Sequence, residues 1–334
     1  MQKRDVLMSA MLCMAIWLAG GTTLGWAADE EASETLIMDV SHVRGVIPRE
    51  ELPGRRIFPS TARFVRGDKQ LSFVASRHND EDSIVWLEHE VDRLDPQVVV
   101  IEGLPREKGI HPPSVYTVID GMDPAEVRAT HNEAWVGAMS ALQRDGEFVG
   151  GEPTSREVLN AIVATTDFTE NDFICFLLVR MIPQWQRTGA DLEGGFEALF
   201  GRRMDNISRV LEIPREEMPD WPAVQQWFAD GNGTPLDVMT FSANQIGHGR
   251  PDHDLMTKRI GYHVNLVRNQ TIARVIGEML QRHDRVLVVY GGSHYQYVAP
   301  ALVDMLGDPI ELAVPEWVLY PDDVRLVDES QKNP

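Results

Sequence analysis

His78, Glu102, Glu152 and His294 each stand just past a stretch that reads as a buried strand. Leu71 to Ala75 leads to His78, and the β-branched run Val98-Val99-Val100-Ile101 leads to Glu102. Phe148-Val149 leads through Gly150-Gly151 to Glu152, and Val286 to Tyr290 leads through Gly291-Gly292-Ser293 to His294. In a parallel sheet the C-terminal strand ends share one edge, where open α/β folds place ligands. Two imidazoles and two carboxylates at that edge suit a divalent metal such as zinc, manganese or cobalt, with a position left for water. The same groups also suit metal-free acid–base hydrolysis, one activating water and another donating a proton. Singly, each residue has an ordinary use. A histidine after a strand can cap or face solvent, Glu102 before Gly103 can sit in a turn, and Glu152 near Ser155 can favour a helix start. Their coincidence at one edge is what points to chemistry.

Arg268 adds a cation that could clamp a substrate carboxylate or meet an oxyanion. Its neighbour Asn269, and Ser293 beside His294, are the expected substrate-binding positions. Ser293 is not the nucleophile of a G-x-S-x-G elbow, because Tyr295 stands where the last glycine would be. Gly291-Gly292-Ser293 is at most a weak phosphate-cradling turn, with neither G-x-G-x-x-G nor the P-loop pattern around it. His89-Glu90 lacks the second histidine of H-E-x-x-H. A further cluster, His248, Asp252, His253 and Asp254, is dense in ligand types but equally suits a helix cap.

The elements that must position these residues follow from hydrophobic period. After the Leu71 strand, Ile84, Leu87, Val91 and Leu94 recur at helical spacing, and Asp95-Pro96 ends that helix. With the Val98 run this makes a βαβ unit of about thirty residues. A helix through Trp135, Met139 and Leu142 precedes the Phe148 strand. Residues 154–240 read as a helical insertion or cap, broken at prolines 183, 214, 219 and 222. A long helix from about Asp254 to His283 leads into the Val286 strand; a helix through Val298, Leu302 and Leu306 and a strand at Ile310 to Val314 follow. The expected fold is α/β, a mostly parallel central sheet flanked by helices. The domain is expected over 67–320, after an irregular arm at 28–66 and before a tail at 321–334.

The 334 residues carry 51 acidic against 31 basic side chains, a formal net charge of −20. That balance argues against nucleic acid as a partner. Lys3 and Arg4, the apolar run from Val6 to Trp26 and the small residues Gly25 and Ala27 read as a signal peptide cut after Ala27. The expectation is an exported protein, periplasmic or secreted, without stable membrane insertion after cleavage; an uncleaved anchor is the alternative. Cleavage would leave Cys175 as the single cysteine, in an apolar run where a buried structural thiol is expected.

The ordered set Ala75-x-x-His78, Val98 to Ile101 with Glu102, Arg268-Asn269 with Ala273, and Val288 to His294 resembles the TraB/TIKI group over about residues 69–314. That group shares a superfamily with the erythromycin esterases and the ChaN haem-binding proteins. Its pattern has two Gly-x-x-His motifs at opposite ends of the domain, a Glu after the second strand and an Arg in the helix before the last motif. Here Ala75 replaces the first glycine, and Glu152 rests on its strand position alone. The resemblance implies metal-dependent proteolysis, with His78, Glu102, Arg268 and His294 as the motif residues. The expected activity is an exported metal-dependent hydrolase acting on a peptide or small molecule, a peptidase more than an esterase. His78, Glu102 and His294 would hold the metal, Glu152 would orient or relay water's proton, and Arg268 would meet developing charge. The alternatives are a haem or metal carrier without turnover and a metal-independent esterase with His78 as base.

Overall fold

The structure is a computed structural model that describes residues 36–45, 58–247 and 249–319. The expected signal peptide, the tail at 321–334, much of the arm and His248 lie outside those residues.

The α/β expectation holds. One six-stranded sheet has helices on both faces. Its strands, in chain order, are β1 (Ser60–Arg66), β2 (Lys69–Ser76), β3 (Val98–Pro105), β4 (Glu147–Glu152), β5 (Arg285–Gly291) and β6 (Glu311–Ala313). The spatial order is β4-β3-β5-β2-β1-β6. The first four of these are mutually parallel, while β1 pairs antiparallel with both β2 and β6. The arm expected to be irregular through residue 66 is therefore corrected at its end, since Ser60–Arg66 is a strand. It forms a hairpin with β2 in which Arg66 faces Lys69. Gly67, at φ 59°, supplies the left-handed turn between them.

The βαβ unit is present but wider than its sequence suggests. Helix α1 (Glu81–Leu94) carries the chain from β2 to β3, yet these strands are not neighbours, because β5 lies between them. The side chain of Asp80 caps α1 by accepting from Ser83 N at 3.2 Å, and Asp95 ends it in a left-handed conformation before Pro96. Helices α2 (Pro113–Ile119), α3 (Pro124–Thr130) and α4 (Glu133–Leu142) connect β3 to β4.

Residues 154–240 are helical as expected, with α5 (Ser155–Thr165), α6 (Glu170–Val179), α7 (Ile182–Arg187), α8 (Phe196–Leu211) and α9 (Trp221–Asn232). Capping boxes start α5 at Thr154 and α6 at Thr169. Helix α10 (Met256–Arg282) then returns the chain to β5, α11 (Gly292–Leu306) follows directly, and α12 (Glu316–Leu319) comes after β6.

Period-two alternation divides the sheet's side chains between two cores. Val98, Val100, Val286 and Val288 pack with α10 and α11, whereas Val99, Ile101, Leu287 and Val289 pack with α1 and α4. A third core joins the inserted helices. Helix α10, about 40 Å long at 1.5 Å per residue, belongs to two of them. Ile260 and Val264 pack in the inserted core, while Ile272 to Leu280 pack on the sheet. Arg268 lies at the seam between these halves.

Candidate functional site

Strand β5 exits to one face of the sheet through α11, while β2 and β3 on either side exit to the other through α1 and α2–α4. A crevice opens where neighbouring connections diverge, which is the general ligand position in open α/β sheets. The register sets the strand ends level: Ser76 lies opposite Gly291, Ile101 opposite Val289, and Ile101 opposite Gly150. His78, Glu102 and His294 thus meet around the end of β5, although the sequence spreads them over more than two hundred positions.

Glu102 is the hub. His78 Nε2 lies 3.6 Å from its Oε2, and His294 Nε2 lies 3.5 Å from its Oε1. Gly291 N donates to Oε2 at 2.7 Å, and Arg268 Nη2 donates to Oε1 at 3.3 Å. Burial alone would push this carboxyl up. The hydrogen bond and charge of His294, the Gly291 amide and Arg268 outweigh it and bring Glu102 down to about 2. Glu102 is therefore ionised at neutral pH.

Each histidine is held from behind through its other nitrogen. His78 Nδ1 lies 2.6 Å from Glu133 Oε1, and His294 Nδ1 lies 2.7 Å from Asn269 Oδ1. An ionised carboxylate can only accept, so the Nδ1 of His78 carries the proton. Asn269 Oδ1 holds the Nδ1 side of His294 in the same way, so the Nε2 of each ring is turned toward Glu102. Outer oxygens that fix a ring in this way are the usual support of histidine ligands. The Glu133 hydrogen bond raises the pKa of His78 against the opposing effect of burial. Glu133 is itself lowered, because the His78 hydrogen bond and the Asn79 amide outweigh its own burial. The rings differ in access, with the His78 side chain 54% exposed and that of His294 7%.

Gly291 makes room for this meeting. A Cβ there would lie 2.8 Å from His78 Nε2 and 3.3 Å from Glu102 Oε2. Glycine is needed for close approach, since its backbone, at φ −54° and ψ 135°, is open to any residue.

Arg268 and Glu152 form a forked pair, Nε to Oε2 at 2.8 Å and Nη2 to Oε1 at 2.6 Å. Burial opposes the guanidinium's charge, but Glu152 and Glu102 more than offset it and raise its pKa. The structure brings Glu152 to the rim as expected but alters its role. Both its oxygens are bound by Arg268 and it is buried, so it anchors the arginine instead of standing free to relay a proton. Asn269 is likewise corrected from a substrate-binding position. It is fully buried and positions His294. Ser293 sits half-buried in the first turn of α11 and takes no part in the hydrogen bonds of the cluster.

No family model, curated protein or solved structure matches the chain.

Of the cluster His248, Asp252, His253 and Asp254, His248 lies outside the described residues. Asp252 is exposed and pairs with Arg250 at 3.3 Å, while His253 Nδ1 accepts from Leu255 N at 3.0 Å beside the start of α10. Cys175 is buried as expected, and burial together with Asp172 pushes its thiol up to about 12. Among the described residues no group of three or more His, Cys, Asp or Glu is arranged so as to hold a metal ion, and no helix is long and apolar enough to cross a membrane.

Glu133 was not visible as a site residue from the sequence. It follows Asn132, whose side chain accepts from Trp135 N, and so reads as an acidic residue in the first turn of α4. Its burial to 2% exposure distinguishes it, and burial at a helix start has no local signature. Arg180 and Arg203, which line the cavities beside Arg268, were also missed, since single arginines within helices usually face solvent.

Proposed function

We propose that the chain is an exported, divalent-metal-dependent hydrolase, a peptidase more than an esterase, of the kind implied by resemblance to the TraB/TIKI group. One observation carries this reading. Two histidines with Nδ1 held by outer oxygens both present Nε2 to the same ionised carboxylate. The donor types fit a zinc-like cation, for which His78, His294 and Glu102 would be the ligands. Bound there, the ion would supply Lewis acidity and lower the pKa of water toward neutrality. Zinc, manganese and cobalt all match imidazole and carboxylate donors.

The protein's own groups do the rest. Glu133 and Asn269 hold the two rings in register. The Gly291 amide fixes one oxygen of Glu102. Arg268, locked by Glu152, places a cation beside Glu102, where negative charge developing on a substrate carbonyl oxygen would be stabilised. A proton and a cation compete for the Nε2 lone pair of His78, so metal uptake would release protons.

Metal analysis of the purified protein, followed by cleavage of a peptide library with and without added divalent ion, tests the proposal. Activity is expected to vanish on chelation, return with metal, and fall by orders of magnitude in His294→Ala. Full activity in His294→Ala would overturn the assignment. A second reading, a metal-independent esterase with His78 as base, is favoured by the 2.6 Å contact between His78 and Glu133, which would orient a general base. Ester hydrolysis that survives chelation would select it. A bound haem or metal with no turnover would select a carrier.

A further inference from the structure

Two cavities of about 490 and 470 Å³ lie beside the rim and share Arg180, Val264 and Arg268 as walls. Glu152 also lines the first, and Arg187 and Arg203 line the second. Glu152 is the one carboxylate lining either cavity, and Arg268 already occupies both its oxygens. Arg180, Arg187 and Arg203 are left with no carboxylate in ion-pair range among the described residues. Arg203 Nε donates to the Leu177 carbonyl at 3.4 Å, and Arg180 lies 6.0 Å over the Phe176 ring.

This concentration of cations is unusual for a chain of net charge −20. Arg180 is an exposed residue whose side chain lines both cavities. Desolvation of its guanidinium and the like charges of Arg268 and Arg203 bring its pKa down to about 10. The position of Arg180 at the C-terminus of α6 accounts for one cation by the helix dipole. It does not account for Arg203 of α8 and Arg268 of α10 facing the same space. Among the described residues Arg180 and Arg203 have no carboxylate partner and share this space with the already paired Arg268, so an anion entering it would meet two uncompensated guanidinium groups. Apolar walls from Phe173, Leu177 and Val264 would raise the strength of that contact by excluding water.

We propose that this trough is an anion subsite that receives a carboxylate or phosphate group carried by the substrate, next to the reacting centre. The word substrate rests on the hydrolase reading; the anion binding does not. The substrates of this chain are then acidic molecules, drawn to a basic trough on a chain of net charge −20.

The test is calorimetric titration with inorganic phosphate and, separately, succinate, at ionic strength held constant with sodium chloride. Wild type, R180Q, R203Q, R187Q and His78→Ala are compared, with circular dichroism confirming folding. Saturable binding of at least one probe is expected, weakened tenfold or more in R180Q and R203Q and unchanged in His78→Ala. Preference for phosphate or for succinate identifies the anion. If R180Q fails to fold, R203Q and the exposed R187Q carry the comparison. Absence of saturable binding by either probe, or equal affinity in wild type and the arginine variants, overturns the subsite. Anion binding without turnover would instead sink the hydrolase reading and leave the subsite standing.

Discussion

His78 Nδ1 stands 2.6 Å from Glu133 Oε1 while its Nε2 faces Glu102 at 3.6 Å, so one ring links a buried carboxylate behind it to an ionised one in front. Replacing Glu133 by Gln keeps the volume and removes the charge. The carboxylate holds the pKa of His78 up, so in chelator-treated E133Q the ring should titrate at lower pH than in wild type, as read by NMR. Outer oxygens of this kind support metal affinity or activity by about 10- to 100-fold. A loss in that range is expected in E133Q, and unchanged titration and kinetics would show that Glu133 is only structural.

Gly291 offers a cleaner probe, because its replacement changes neither charge nor allowed backbone. In Gly291→Ala the new methyl would meet His78 Nε2 at 2.8 Å, and the half-exposed ring must swing away from Glu102. Hydrolysis should fall at least about tenfold, whereas unfolding in urea should move by only about 1 kcal/mol, the centre of the range for single substitutions, because the ring that must give way is half-exposed. A large stability loss with activity intact would refute the close-approach argument.

Arg268→Ala should affect both stability and chemistry. It leaves the buried Glu152 carboxylate without either of its hydrogen bonds from Arg268. Removing one partner of a buried pair costs about 3 to 5 kcal/mol, and the partial exposure of Arg268 places the expectation at the lower end of that range. Arg268→Ala with Glu152→Gln should recover part of this loss in urea denaturation, since no unpaired charge remains, but should not recover activity.

Cys175 provides a control far from the rim chemistry. A thiol pushed up to about 12 carries almost no thiolate at pH 8. Iodoacetamide followed by mass spectrometry should leave Cys175 unmodified in the folded protein and alkylate it fully in denaturant. Rapid native labelling would show that the inserted helices open easily.

The chain order of hydrophobic runs was enough to place His78, Glu102, Glu152 and His294 past strand ends, because a buried parallel strand needs a continuous apolar run and its exit must be polar. The long helix ahead of β5 and the helical insertion were legible for the same reason. β1 was not, since Ser60–Arg66 alternates arginine with apolar residues and has buried side chains only once it pairs with β2 and β6.

What the sequence alone determined is the set of reactive groups at one edge of an α/β sheet. The tertiary structure decided their order and their partners. It inserted β5 between β2 and β3, gave Glu133 and Asn269 the task of orienting the histidines, and tied Glu152 to Arg268. Local propensity carries no information about such contacts. Each joins residues tens to hundreds of positions apart, and only the packing of three cores sets which side chains meet.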